Sequence, residues 1–402
     1  LPAKFATYTG ELQKAGYKTG YTGKGWSPGK LAPGGRSENP AGTPYAKRNL
    51  QPPFKAIRNT DYAGNFDDFL DAVEKEAPFC FWLGTSEPHR AYENGAGKRT
   101  GKDPAKVIVP SIFPDNAIVR SDILDYYVEV EHFDLMVERA IASLEKRGHL
   151  DNTIVVVTSD HGMPFPRAKA SLYDWGSRVP LAIRWPRGIR NPGRDVKDFV
   201  HLSDLAPTFI EAAGADVPSM MTANSLMKIF SGQKMNDRDA AYIAMERHDG
   251  CREGGKGYPC RAVRTQDYLY IYNFEPGRWP SGSPDPRVCA RSIPFGEIDT
   301  SPTKSFMMES RMEHGIAHLA ELSFGMRPAE ELYDLKKDPE QLANVAGLIE
   351  YSAIQHARRR QLFDHLKKTR DPRVVGGKVE WDHYPYYGRI STPGWKVTNK
   401  KD

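Results

Sequence analysis

Apolar and polar positions along the first half of the chain alternate between helical and strand periodicity. Residues 4–15 predict a helix ended by Gly16, and residues 17–22 a short strand running into a Gly-rich loop. Residues 65–76 predict a second helix, which feeds the apolar strand 79–83. Ile123, Tyr127, Val130, Phe133, Val137, Ile141 and Leu144 recur at three- and four-residue steps, so residues 121–147 form a long amphipathic helix stopped by Gly148. The β-branched run 153–157 follows as a strand, and 202–213 as a helix closed by Gly214. This alternation predicts an α/β architecture with a mainly parallel sheet flanked by helices. After Met235 the pattern changes. Tyr268, Tyr270, Tyr272 and Phe274 alternate with Leu269, Ile271 and Asn273, as in an antiparallel strand with one wetter face, and residues 351–368 read as a closing amphipathic helix. The expected organisation is a larger α/β domain over residues 1–235 and a smaller α+β subdomain over 236–402.

Composition narrows the class. With 402 residues, 39% hydrophobic and 27% charged, the chain can bury one large core and a satellite. Its apolar runs are strand-length, so no membrane span is expected. The net charge of +5 is not gathered into a long Lys/Arg run, which argues against a nucleic-acid partner and suits a small anion. The four cysteines include no C-x-x-C pair, so a zinc site is not expected. Cys251 and Cys260 lie in a Gly-rich segment and suit a small disulfide loop; free buried thiols are the equal alternative. The intervals 23–60 and 87–118, rich in Gly, Pro, Lys and Arg, are expected to line a site.

The strongest local signal is Val155-Val156-Val157-Thr158-Ser159-Asp160-His161-Gly162. In α/β sheets ligands bind beyond the carboxyl ends of strands, and a carboxylate beside an imidazole suits a divalent metal. A capping Asp followed by a surface His is the competing reading of that dipeptide alone. Lys169, nine residues beyond Asp160, stands in a Pro-restrained loop where a cation can neutralise an anion on the metal. Two further segments end in polar residues: Gly20-Tyr21-Thr22-Gly23-Lys24, and the strand 79–83 followed by Gly84-Thr85-Ser86-Glu87-Pro88-His89-Arg90. By themselves Lys24 reads as a solvated lysine and His89 as an incidental loop histidine.

Together these segments resemble the type I sulfatases of the alkaline phosphatase superfamily. The Asp160-His161 pair, Lys169, and Tyr173-Asp174-Trp175-Gly176-Ser177-Arg178-Val179-Pro180 are similar to that family's metal pair, substrate lysine and following stretch, with Asp174 where Glu is usual. Residues 16–24 are similar to its second signature, with Trp26 where a histidine is frequent. Residues 200–208 and 331–340 resemble scaffold segments. The resemblance implies an alkaline phosphatase-like fold and a sulfatase reaction. Asp160 and His161 then hold a divalent metal, calcium first, with manganese or zinc open. Lys24 and Lys169 bind sulfate, and His89 binds sulfate and protonates the leaving group. It further implies a formylglycine nucleophile made from a Cys/Ser-x-Pro-x-Arg motif. None of the four cysteines stands in one and no serine is expected to supply it, so the nucleophile and first strand are expected ahead of Leu1, and the chain is expected to be an inactive C-terminal part of a longer enzyme.

Within the family, Pro164-Phe165-Pro166, residues 109–115 and residues 258–264 most resemble the heparan N-sulfatase group. That implies a sulfated saccharide partner such as N-sulfoglucosamine and a secreted, periplasmic or lysosomal-type location. Arg247, His248 and Arg252 are candidates for a sugar carboxylate or second sulfate, against an unpaired surface cluster. A phosphate mono- or diester hydrolase of the same superfamily and a non-catalytic glycan-binding protein are the alternatives.

Overall fold

In the computed structural model, which describes residues 2–26, 30–233, 235 and 237–397, the chain divides into two units. Leu1 and Asn236, at the start of the chain and of the expected second domain, lie outside the described residues. One unit comprises residues 1–100, 125–158 and 181–238; the other comprises 101–124, 159–180 and 239–402.

In the first unit, strands β1 (Lys18–Gly23), β2 (Thr43–Pro44) and β3 (Phe79–Gly84) form a parallel sheet in the order β2-β1-β3. Lys18 faces Phe79 and Gly23 faces Gly84, so β1 and β3 end at the same edge. Parallel neighbours need a crossover connection, and helix Tyr62–Ala72 supplies it. The helix begins earlier than its apolar spacing suggests because Asp61 caps it, accepting from the Gly64 N–H at 2.9 Å. Phe66 and Phe69 pack against Phe81 of β3, at ring separations of 4.8 and 4.7 Å. Leu70, Leu144 and Leu150 complete that core. The first helix runs Tyr8–Lys14 rather than from residue 4, because Thr7 takes the cap position and bonds the Gly10 N–H. Strand β4 (Val155–Thr158) pairs antiparallel with β5 (Leu181–Arg184), Val155 opposite Arg184. The expected helix 202–213 opens as a 3₁₀ turn, Leu202–Asp204, before helix Leu205–Ala212.

The long helix extends over Ala117–Lys146. Asn116 moves its start upstream of the predicted one, its side-chain oxygen accepting from the N–H groups of Ile118 and Val119 at 2.9 and 3.0 Å.

The second unit is built on an antiparallel sheet of β6 (Ala240–Met245), β7 (Cys260–Thr265), β8 (Tyr268–Asn273) and β9 (Glu330–Asp334), in that order. The alternation in 268–274 marks a closed and a more open face of β8: Leu269, Ile271 and Asn273 are buried, whereas Tyr268, Tyr272 and Phe274 are half-buried and only Tyr270 of that set is buried. Leu269 and Ile271 pack with Leu172, Tyr173, Cys260 and Tyr333 on one side. Val263, Tyr270 and Leu332 pack on the other against Leu362 and Leu366 of helix Ser352–Lys368. Tyr270 is fully buried, and its hydroxyl donates to Glu330 at 2.8 Å.

For Cys251 and Cys260 the structure takes the second of the two alternatives, buried thiols not joined to each other: Cys260 sits in the apolar cluster at the start of β7. Cys251 instead lies with its sulfur 3.2 Å from that of Cys289. Among the described residues, no helix is long and apolar enough to cross a membrane.

Candidate functional site

The five candidate residues fall two in the first unit and three in the second. Lys24 follows β1, and its backbone N–H donates to the Gly84 carbonyl at 2.7 Å. The Trp82 indole N–H donates to the Lys24 carbonyl at 2.8 Å. These bonds fasten the residue after β1 to the end of β3, where the loop bearing His89 begins. That loop is braced by its own backbone and by helix Tyr62–Ala72. The Ser86 N–H donates to Tyr62 Oη at 3.0 Å, the His89 N–H to the Ser86 carbonyl at 2.9 Å, and the Tyr92 hydroxyl to the Pro88 carbonyl at 2.7 Å. Both Lys24 and His89 are exposed. His89 Nδ1 sits 2.5 Å from the Arg90 carbonyl oxygen, so Nδ1 carries hydrogen and Nε2 is the basic position.

Under the same loop lies a buried cluster that the sequence reading passed over. Glu87 accepts from the Arg58 N–H at 2.9 Å through Oε1, while its Oε2 and the Nε2 of buried His132 have no hydrogen-bond partner among the described residues. Burial, with the Glu87 carboxylate adding to it, pushes Glu129 up to about 8. Burial also holds His132 below its ordinary value. Glu129 and His132 lie on the polar-looking turns of the long helix, and nothing local marks them as buried.

Ser86-Glu87-Pro88-His89-Arg90 also has the Ser-x-Pro-x-Arg spacing, which corrects the expectation that the motif is missing from the sequence. The structure places Ser86 directly after a sheet strand, in the same turn that carries His89.

In the second unit, Asp160 and His161 follow the end of β4 in sequence. His161 Nδ1 lies 2.7 Å from the Gly162 carbonyl and donates to it, which leaves the Nε2 lone pair for a ligand. Nε2 stands 3.7 Å from Asp160 Oδ1, and the Asp160 side chain is 86% exposed. This carboxylate and imidazole fit one divalent cation as two of its donors. Among the described residues, no group of three or more His, Cys, Asp or Glu side chains is placed to hold a metal.

The loop from Gly162 to Pro180 is anchored at many points. The Gly162 N–H donates to the Gly176 carbonyl at 2.9 Å. Arg167 donates to the Leu322 carbonyl, the Tyr173 hydroxyl to Glu331 at 2.7 Å, and Asp174 forms a two-pronged pair with Arg264 at 3.0 and 2.9 Å. The Tyr-Asp-x-Gly-x-Arg stretch is therefore a structural clamp. Gly162 is required by close approach: a Cβ there would meet the Trp175 carbonyl oxygen at 1.7 Å. Gly162→Ala is expected to force the two backbone segments apart at a cost of ~1–3 kcal/mol. Thermal melting checks this, and an unchanged midpoint would show that the loop can give way.

Lys169 is buried within this loop and pairs through Nζ with Asp299 Oδ2 at 2.7 Å, the two side chains being 6% and 8% exposed. Arg291 reaches the other Asp299 oxygen at 3.5 Å. Asp299 lies 130 residues from Lys169, and no sequence spacing points to it. Glu297 is likewise a hub, accepting from Arg252 Nη1 at 2.7 Å and pairing with His248 Nδ1 at 2.6 Å. Arg252 is thus a buried internal partner, and its other donors meet the Trp279 and Pro280 carbonyls. That corrects the expectation of a basic surface cluster. Arg247 donates to the Gly255 and Tyr384 carbonyls. A small cavity beside Lys169 is lined by Tyr258, Glu297 and Arg327 among others.

With this geometry in view, the sulfatase family pattern matches residues 6–215, and the pattern of the N-sulphoglucosamine sulphohydrolase C-terminal region matches residues 164–279. An ulvan-active sulfatase of Formosa agariphila is 26% identical over 312 residues, covering 76% of this chain and 55% of that protein. Human N-sulphoglucosamine sulphohydrolase is 23% identical over 331 residues, covering 75% and 63%. The chain therefore spans between half and two thirds of these relatives. The solved structure of BT4656 in complex with its substrate D-glucosamine-2-N,6-O-disulfate superimposes with a TM-score of 0.63 at 19% identity, over 93% of this chain and 84% of that one. The fold is thus the mixed α/β sulfatase fold with an antiparallel C-terminal subdomain. The chain belongs to the sulfatase family.

Proposed function

We propose that the whole protein hydrolyses a sulfate ester or sulfamate on a sugar, with terminal N-sulfoglucosamine of a heparin-type chain as the leading substrate. The observation that carries this is the overlap of the two family matches on residues 164–215, directly after Asp160-His161 and including Lys169. The same reading takes residues 1–235 as part of the catalytic domain and 236–402 as its subdomain. A sulfated substrate of this kind places the protein in a secreted, periplasmic or lysosomal-type compartment.

In this reading Asp160 Oδ and His161 Nε2 hold a hard divalent cation, calcium first, which when bound draws electron density from a sulfate oxygen. Lys24 supplies positive charge from the edge of the parallel sheet. Lys169, kept in position by Asp299, supplies it from the clamped loop. Fixed charges of this kind need no reorganisation as negative charge builds up on the sulfate. His89, with Nδ1 held by the Arg90 carbonyl, moves a proton at Nε2 to the departing oxygen or nitrogen. The attacking group is a formylglycine of the whole protein; among these 402 residues only Ser86 stands in the Cys/Ser-x-Pro-x-Arg spacing.

The test offers the whole protein a panel of N-sulfated, 6-O-sulfated and galactose-linked sulfated saccharides, together with a phosphate diester. Sulfate release with preference for N-sulfoglucosamine is the expected result. Preference for a sulfated galactose removes the substrate assignment and leaves the sulfatase reading. Cleavage of the diester alone, or metal-dependent glycan binding without turnover, overturns it.

A further inference from the structure

Cys251 and Cys289 are both fully buried, with their sulfur atoms 3.2 Å apart and their positions 38 apart in sequence. Neither lies in a strand. Cys251 follows the loop after β6, and Cys289 follows the short turn Pro286–Val288. The backbone holds the two segments in register. The Ala290 N–H donates to the Gly250 carbonyl at 2.7 Å, and the Ser283 N–H donates to the Cys251 carbonyl at 2.8 Å. The space around the sulfurs is shaped for them. A Cβ on Gly296 would lie 2.5 Å from each Sγ, so that position admits no side chain while the pair is in place. Metal binding does not account for the pair, since no third His, Cys, Asp or Glu completes a cluster among the described residues. Closing the gap to a bond of about 2.05 Å needs a sulfur displacement of roughly 1 Å, which side-chain rotation supplies in segments outside the strands.

We propose that Cys251 and Cys289 form a structural disulfide that ties the loop after β6 to the segment carrying Arg291, Glu297 and Asp299. The co-reactant is a disulfide, of a thiol–disulfide oxidoreductase or of oxidised glutathione. One cysteine thiolate attacks it and releases a thiolate. The other thiolate then attacks the mixed disulfide, closing the Cys251–Cys289 bond and releasing the second thiolate. Two cysteine thiols are oxidised, one acceptor disulfide is reduced to two thiols, and the two protons pass to the departing sulfurs. The bond joins segments already linked by ion pairs. Asp249 meets Arg291 at 2.6 Å, and Arg252 meets Glu297 at 2.7 Å, with Asp299 and its partner Lys169 beyond. A covalent tie here limits the separations available to these charges, and it does so whatever the substrate.

The experiment takes the whole protein matured in an oxidising compartment, unfolds it in excess N-ethylmaleimide without reductant, and maps the digest by mass. The expected result is a joined pair of peptides bearing Cys251 and Cys289, with maleimide on Cys80 and Cys260. Maleimide on all four cysteines, or a joined pair that includes Cys260, overturns the proposal. As a second reading, the oxidised protein is expected to melt on the order of 5 °C above protein kept reduced throughout. The Cys251→Ala/Cys289→Ala double variant is expected to melt alike in both preparations. Equal melting of the two wild-type preparations also overturns it.

Discussion

If the proposed function holds, Lys169→Ala in the whole protein is expected to lower turnover of a sulfated substrate by on the order of 10²-fold or more, the loss that follows when a fixed charge beside a developing anion is removed. The ammonium group lies 2.7 Å from Asp299 with both side chains nearly sealed from solvent, so the variant also takes from Asp299 its nearest cation. Two effects must then be told apart. A purely structural lysine makes Lys169→Ala and Asp299→Asn alike, each lowering the melting point and each leaving kcat of the surviving folded protein close to normal. A lysine that meets sulfate gives a fall in kcat for Lys169→Ala larger than its loss of folded protein explains, with partial recovery in Lys169→Arg. Steady-state kinetics on protein whose folded fraction has been measured separates these outcomes. Near-normal kcat in folded Lys169→Ala would remove the lysine from the chemistry.

The second large effect concerns stability. Glu297→Ala leaves the Arg252 guanidinium, 5% exposed, without its carboxylate, and loss of one member of a buried pair costs ~3–5 kcal/mol. Acid titration gives an independent reading. Burial by itself pushes the Glu297 carboxyl up, but the Arg252 guanidinium and the His248 bond outweigh it and hold the group at about 2, below its ordinary 4.5. Because the folded value is depressed, its stabilisation is fully present above pH 4.5 and is lost as pH falls through about 2. The size of that loss is roughly 3 kcal/mol. His248 acts in the opposite window. Burial lowers it, yet the Glu297 bond and charge raise it overall above 6.5, so its contribution is present below that value and fades as pH rises through the folded one. Its side chain is 36% exposed, so solvent screening makes this the smaller term. Unfolding free energies measured between pH 2 and 5 should fall steeply in the wild type and more gently in Glu297→Gln. Parallel curves for the two proteins would show that Glu297 is not the group responsible.

Much of the α/β half was legible because its signals are local. The strand at 17–22 and the apolar strand at 79–83 each need only a few consecutive residues, and both appear within a residue or so of their expected limits. The helix starts moved where a capping side chain, Thr7, Asp61 or Asn116, outbid the apolar spacing, since a cap satisfies N–H groups that periodicity does not count. The motifs around Lys24, His89, Asp160-His161 and Lys169 were readable as short strings, and so was the family. Long-range pairings were not. Asp299 as the partner of Lys169, Glu297 as the hub for Arg252 and His248, and Cys289 rather than Cys260 beside Cys251 all join residues separated by tens to more than a hundred positions. The wetter face expected at 268–274 is the half-buried tyrosine face, but alternation shows only that a strand has two faces, while packing, here by helix Ser352–Lys368, decides what covers each. Residue order thus determined where strands end and which polar groups stand at those ends. The tertiary structure decided which charges are buried together, because burial and ion pairing depend on distances that chain position does not set.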